Sequence, residues 1–171
     1  MKARSLGPIA GIALAVALLA PQSAQAQANA SIQANADVQV QLTAVAGGDL
    51  DFGAVFPGTT RNVLPSDLGA GSFEITGAAN AEVTVDLTLP ANLVNGGNNL
   101  PITFGAGSAA RNTTDDRGAA TSFDPSAVET TRLHNGTGEL YVYIGGSVSP
   151  AGQPNGTYSG TIQLTTAYTG N

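Results

Sequence analysis

The sequence predicts an all-β protein, an antiparallel β-sandwich, and three observations lead there. Apolar and polar residues alternate with period two in several runs. Gly, Asn and Pro separate those runs at short intervals, and outside the N-terminal region no segment keeps a 3.6-residue apolar period over three turns. Short strands with one apolar face need a second sheet against which to bury it.

The first 26 residues stand apart from that fold. Lys2 and Arg4 precede the apolar run Ile9–Ala20, Pro21 breaks it, and Ala24-Gln25-Ala26 supplies small residues at the positions a signal peptidase reads. The run has 12 residues, short of the roughly 20 that span a bilayer. The expectation is a cleaved signal peptide over residues 1–26, with cleavage after Ala28 or Ala30 as alternatives. An exported chain follows, in the periplasm in transit and then at the cell surface or outside it. No apolar tail follows Tyr168, so no stable membrane anchor is expected there.

Without the signal the chain has 145 residues, four Arg, no Lys and 12 acids, so its net charge moves from -6 to -8. The absence of Cys excludes disulfides, zinc–thiolate sites and thiol nucleophiles. The absence of Lys from the mature chain excludes Lys–Asn isopeptide bonds and Schiff bases. With His134 as the single histidine, a multi-histidine metal site cannot be built. The acidic balance argues against nucleic acid, whose affinity rests on Lys and Arg at phosphates. No cofactor is expected.

Taken along the chain, the first element is the alternation Ser31–Leu42, with Ile32, Ala34, Ala36, Val38, Val40 and Leu42 on one face. That is about twice the usual strand length. Val38, Val40 and Leu42 carry enough apolar surface to belong to the domain's own sheet, at about 1.5–3 kcal/mol each on burial. Upstream, Ile32 is the single large anchor among alanines. The expected division is therefore a domain over residues 38–171, whose own sheet begins with 38–44, and a mobile arm over 27–37. In the simplest reading this segment is a first strand with a frayed start; alternatively the arm leaves its domain and completes the sheet of a neighbour by β-strand addition, with Ile32, Ala34, Ala36 and Val38 as donor residues.

Asp49–Val55 and Ser72–Thr76 read as short strands. Ala81–Leu89 is the clearest element, with Val83, Val85, Leu87 and Leu89 against Glu82, Thr84, Asp86 and Thr88. Asn99–Phe104 and Glu139–Val148 follow. Thr157–Tyr168 closes the fold with Tyr158, Gly160, Ile162, Leu164, Thr166 and Tyr168 on one side. Turns are expected at Pro57-Gly58, Asn95-Gly96, Asn135-Gly136, Gly145-Gly146 and Asn155-Gly156. Gly105–Thr137, poor in large apolar residues, reads as a long loop with one short strand near Ala119–Phe123.

Motifs for chemistry are weak. Asp49-x-Asp51-x-Gly53 resembles the start of a calcium loop, but Thr60 stands where a bidentate Glu is required. Asp115-Asp116 beside Arg111 and Arg117 reads as a solvated polar loop. No Gly-x-Ser-x-Gly elbow accompanies His134, and no carboxylate sits in an apolar setting that suits glycoside hydrolysis; an enzyme is not expected. Four glycosylation sequons begin at Asn29, Asn112, Asn135 and Asn155, two of them Asn-Gly turns. Tyr141 and Tyr143 share the face opposite Leu140, Val142 and Ile144, and if exposed they stack on sugar rings.

Leu50-Asp51-Phe52-Gly53, Phe56-Pro57-Gly58, Phe73-Glu74-Ile75-Thr76-Gly77, Leu140-Tyr141-Val142-Tyr143-Ile144-Gly145-Gly146 and Gly156-Thr157-Tyr158-Ser159-Gly160-Thr161 with Tyr168 occur in an order that resembles the bacterial domain-of-unknown-function 4402 family. The resemblance runs from about Val38 to Tyr168. That family is similar to secreted, pilin-like proteins assembled by chaperone–usher systems. Fimbrial subunits of that kind end in an alternating strand from a Gly to a Tyr 12 positions on, as Gly156 and Tyr168 do here. The resemblance implies an immunoglobulin-like sandwich and a chaperone or subunit edge formed by Gly156, Tyr158, Ile162, Leu164 and Tyr168. Two departures stand: Thr169, Gly170 and Asn171 follow the Tyr, and the disulfide common in such subunits is absent.

The expected function is an exported structural subunit of a surface fibre that assembles by strand donation. Its partners are further copies of itself, a periplasmic chaperone and an usher. The alternative is a monomeric secreted adhesin or carbohydrate-binding sandwich that uses the 105–137 loop or the Tyr141/Tyr143 face.

Overall fold

The computed structural model describes residues 28–36, 38 and 40–170; the expected signal peptide lies outside them. The chain divides into two units, residues 1–36 and 37–171. In the first, residues 28–36 carry no helix or strand, and Ile32, Ala34 and Ala36 are exposed. The second holds twelve strands among its described residues and no helix. They are β1 (Thr43–Gly48), β2 (Arg61–Val63), β3 (Gly71–Thr76), β4 (Glu82–Thr88), β5 (Asn92–Asn95), β6 (Asn98–Thr103), β7 (Ala109–Asn112), β8 (Thr121–Phe123), β9 (Glu129–Arg132), β10 (Glu139–Ile144), β11 (Gly146–Val148) and β12 (Gln163–Tyr168).

The fold is the all-β antiparallel sandwich expected from the alternations. One sheet runs β1-β3-β10-β7-β8, a second β12-β4-β9, and a third β2-β11-β6-β5. Between the first two lies the main core. Val83, Val85 and Leu87 of β4 face Ile75, Leu140, Val142 and Ile144 of β3 and β10, all buried. A second core joins Phe52, Val63, Ala70, Leu100, Ile102 and Val148 under the third sheet, and Phe104 packs against both. In β4 the outward Asp86 and Thr88 are exposed, so its period-two pattern and its burial coincide.

Several expected boundaries are corrected. The first strand is Thr43–Gly48, not 38–44; Val38 and residues 40–42 precede it without strand pairing, although Leu42 packs on the core. Asp49–Val55 is not a strand: Asp51 Oδ1 accepts the Gly53 N–H at 2.7 Å, and this side-chain turn bends the chain so that Phe52 alone is buried. Glu139–Val148 is two strands in two sheets, because the chain crosses over at Gly145. A Cβ there would overlap the Val63 carbonyl oxygen, so only glycine permits the crossing. Thr157–Tyr168 is not continuous: a single bridge joins Ser159 to Val94 before β12 begins at Gln163.

The 105–137 stretch holds the short strand expected near 119–123, as β8, and two further strands, β7 and β9. Its small Ala and Thr residues gain their place from partners distant in sequence: Ala110 pairs with Tyr143 and Thr131 with Val83. Asn135-Gly136 falls in a turn as expected; the turn expected at Asn95-Gly96 is Gly96-Gly97, with Asn95 ending β5, and Gly145-Gly146 is not a turn.

Candidate functional site: an open groove between two sheet edges

The two main sheets present lateral edges on two sides. On one side β8 and β9 are joined by the Asp124–Val128 turn, with Phe123 and Pro125 buried beneath it. Asp124 fixes that turn by accepting from the Ser126 hydroxyl at 2.6 Å and its N–H at 2.9 Å, and those bonds hold its carboxyl below the usual carboxylate range. Arg111 of β7 reaches across the sheets to Glu129 of β9, Nε to Oε1, at 2.6 Å. That side is shut.

The opposite side is open. β1 pairs only with β3, and β12 only with β4, among the described residues. The register places Ala44 and Ala46 opposite Ile75 and Phe73, so their side chains share the core-facing side of the sheet. Both are nonetheless exposed. Across the gap, Leu164, Thr166 and Tyr168 lie opposite the buried Leu87, Val85 and Val83, yet each is only half-buried. Core-facing residues that remain accessible on two facing edges, beside unpaired backbone groups, define a groove that a further strand would fill.

The groove has two unlike ends. At one, the start of β1 and the end of β12 meet over Gly77, where a Cβ would stand 2.5 Å from the Tyr168 oxygen and 2.8 Å from a Leu42 methyl. Tyr168 Oη accepts the Ala78 N–H at 2.7 Å and donates to the Val40 carbonyl at 2.9 Å. This is the root end, where the chain enters the domain. Toward the other end the groove widens into a cavity of about 670 Å³, bordered by Ala46, Phe52, Phe73, Leu100, Tyr158 and Ile162. Its far lip is formed by Val55, Pro57, Pro150 and Asn155, and Gly58 N–H bonds to the Pro150 carbonyl at 2.7 Å. β1 therefore runs from root to far end, and β12 runs back.

Of the residues expected at an edge, Ile162, Leu164 and Tyr168 share one face along the groove and pack on the main core. Gly156 and Tyr158 lie in the irregular strap before β12. Gly156 abuts the Asn95 side chain, and the Tyr158 hydroxyl donates to the Pro154 carbonyl at 2.9 Å. Of the expected donor residues, Ile32 and Val38 are 96% and 98% exposed, and none of Ile32, Ala34, Ala36 and Val38 is in a strand. Sequence reasoning missed Ala46, Phe73 and Leu100, whose neighbours come from distant strands; the alternation that continues from Leu42 through Ala44 to Ala46 was the available signal.

A comparison with known families decides the relationship of the chain. The profile described as Domain of unknown function (DUF4402) matches residues 34–168. The chain belongs to that family. No curated protein matches the sequence. The DUF4402 match begins inside the exposed arm and ends on Tyr168, and so takes in both walls of the groove.

Other candidate positions of this DUF4402 domain make contacts within it. Tyr143 is fully buried, not exposed beside Tyr141. The β7–β8 loop folds over it: Asp115 Oδ1 accepts its hydroxyl at 2.7 Å, and the Arg117 guanidinium lies 5.1 Å from its ring centre. Burial, reinforced by the bond to Asp115, pushes the Tyr143 hydroxyl above its ordinary pKa. Arg117 also donates to the Asp67 and Ala70 carbonyls. Asp116 caps the Gly118 and Ala119 N–H groups. Among the described residues no three His, Asp or Glu side chains gather as metal ligands.

Proposed function

We propose that the chain is an exported structural subunit that assembles by β-strand donation, the arm over residues 27–37 and Val38 of one copy filling the β1–β12 groove of the next. The observation that carries this reading is the groove itself: two edges, unpaired among the described residues, whose core-facing residues remain accessible. The arm's unbroken alternation supports it. Residues 28–38 extended at about 3.3 Å per residue reach about 36 Å, more than the roughly 20 Å of the six-residue edge of β12. A periplasmic chaperone would hold the same groove before assembly, and an usher would export the subunit.

Strand polarity sets the product. An arm that lies antiparallel to β12 brings the donor's root end against the acceptor's far end, a heterologous contact that propagates as a fibre. An arm parallel to β12 brings root against root and closes a reciprocal pair. The fibre reading requires the first arrangement.

The test is to purify the chain from residue 27 and from residue 38 and to compare them by electron microscopy and sedimentation. Polymers are expected only from the longer chain. A longer chain that stays monomeric at high concentration would contradict self-donation.

A further inference from the structure

Large apolar residues are exposed at several places on the domain, Val45, Leu68 and Val128 among them, and some stand at each end of the groove. At the root end are Val38, 98% exposed, and Val40, 59%. Phe56, 70% exposed, stands between Val55 and Pro57 of the far lip and does not itself line the cavity. Phe56 is not displayed on a loose loop. Its carbonyl accepts both the Thr59 N–H at 3.1 Å and the Thr59 hydroxyl at 2.6 Å, and Gly58 N–H ties the same turn to Pro150. Val40 is equally fixed, through the bond from Tyr168 to its carbonyl. A large aromatic held in place and left in water marks a contact surface more than a scattered apolar side chain does.

We infer that Phe56 is the docking point for the body of the adjoining copy, and that it packs on Val40 and Val38 of that copy. This rests on the strand-donation reading. There the donor's root end must lie at the acceptor's far lip, and the groove places Val40 on the first surface and Phe56 on the second. The six residues of β1, about 20 Å, separate the two ends of the groove within one chain, so the patches pair between copies and not within one. Strand pairing would supply most of the affinity, and the Phe56 contact would fix the angle between successive domains.

The experiment uses the mature full-length chain, a synthetic peptide of residues 28–38, and two variants. Phe56→Ser should reduce polymer yield about tenfold, the equivalent of one buried aromatic side chain, while the peptide binds the groove as it does in the unaltered chain. Because the sequence has no Cys, Val40→Cys combined with Phe56→Cys reports the contact directly and should give a disulfide-linked ladder on non-reducing gels. Unaltered polymer yield with Phe56→Ser, or the absence of intermolecular disulfide from the double variant, overturns the inference but leaves strand donation standing. Loss of peptide binding in Phe56→Ser also overturns it, since Phe56 would then act through the groove. If the unaltered chain neither polymerises nor binds the peptide, strand donation fails and the docking point fails with it.

Discussion

Tyr168, near the end of the last strand, donates its hydroxyl to the carbonyl of Val40, 128 positions earlier, at 2.9 Å. The same oxygen accepts the Ala78 N–H. One side chain thus fastens the last strand, the turn after β3 and the segment from which the arm emerges. Strand pairing does not hold residues 40–42 in place; this bond and the packing of Leu42 do.

Replacement of Tyr168 by Phe keeps the ring and removes both bonds. With each hydrogen bond worth about 0.5–1.5 kcal/mol, and an N–H left unpaired, the expected loss is about 1–3 kcal/mol in denaturant unfolding. Amide exchange should quicken at Ala78. A variant as stable as the parent would show that the root is held otherwise.

Gly77→Ala inserts a methyl group into the space shared by Tyr168, Leu42 and Leu133. Overpacking of this kind costs about 1–3 kcal/mol. If Tyr168 is instead displaced, β12 pairing should loosen at the same time, which exchange at Thr166–Tyr168 would detect.

Tyr143 leads to a pH prediction. Its folded pKa is raised above the unfolded value near 10, so the neutral hydroxyl is favoured by folding. That contribution is fully present below about pH 10 and falls as the pH rises further. Stability should therefore decline on the alkaline side, and Tyr143→Phe should flatten the decline while costing about 1 kcal/mol at neutral pH. Equal alkaline slopes for both proteins would refute the assignment.

Arg111→Ala removes the ion pair across the closed side. The pair is partly accessible, 27% and 24% for the two side chains, so solvent screening holds the expected loss to about 1 kcal/mol. The closed side should stay shut, because Phe123 and Pro125 remain buried beneath the turn. Peptide binding at the opposite groove should not change.

The sequence made β4 legible because its partners flank it on both sides and its core face is fully buried; Val83, Val85 and Leu87 alternate without interruption. The same rule failed over Asp49–Val55, where Leu50 and Phe52 mimic a strand but the Asp51 side chain turns the backbone. Over Gly105–Thr137 it found β8 but not β7 or β9, which are built from Ala, Thr, Asn, Arg and Glu. Those residues carry little period-two signal, and distant strands decide their pairing. The last alternation was visible as a face, yet nothing in residues 157–168 says that their outer edge lacks a partner. An edge is a property of topology, and only the order β12-β4-β9 exposes it. Tyr143 was legible as an aromatic on the outer face; the loop that buries it was not.

The most direct measurement is amide exchange on the chain from residue 38, with and without the residue 28–38 peptide. A strand seated in the groove would protect amides of both facing edges at once, over Thr43–Gly48 and Gln163–Tyr168, and leave β8 and β9 unchanged. Protection confined to other strands, or none at saturating peptide, would contradict the groove as the site of assembly.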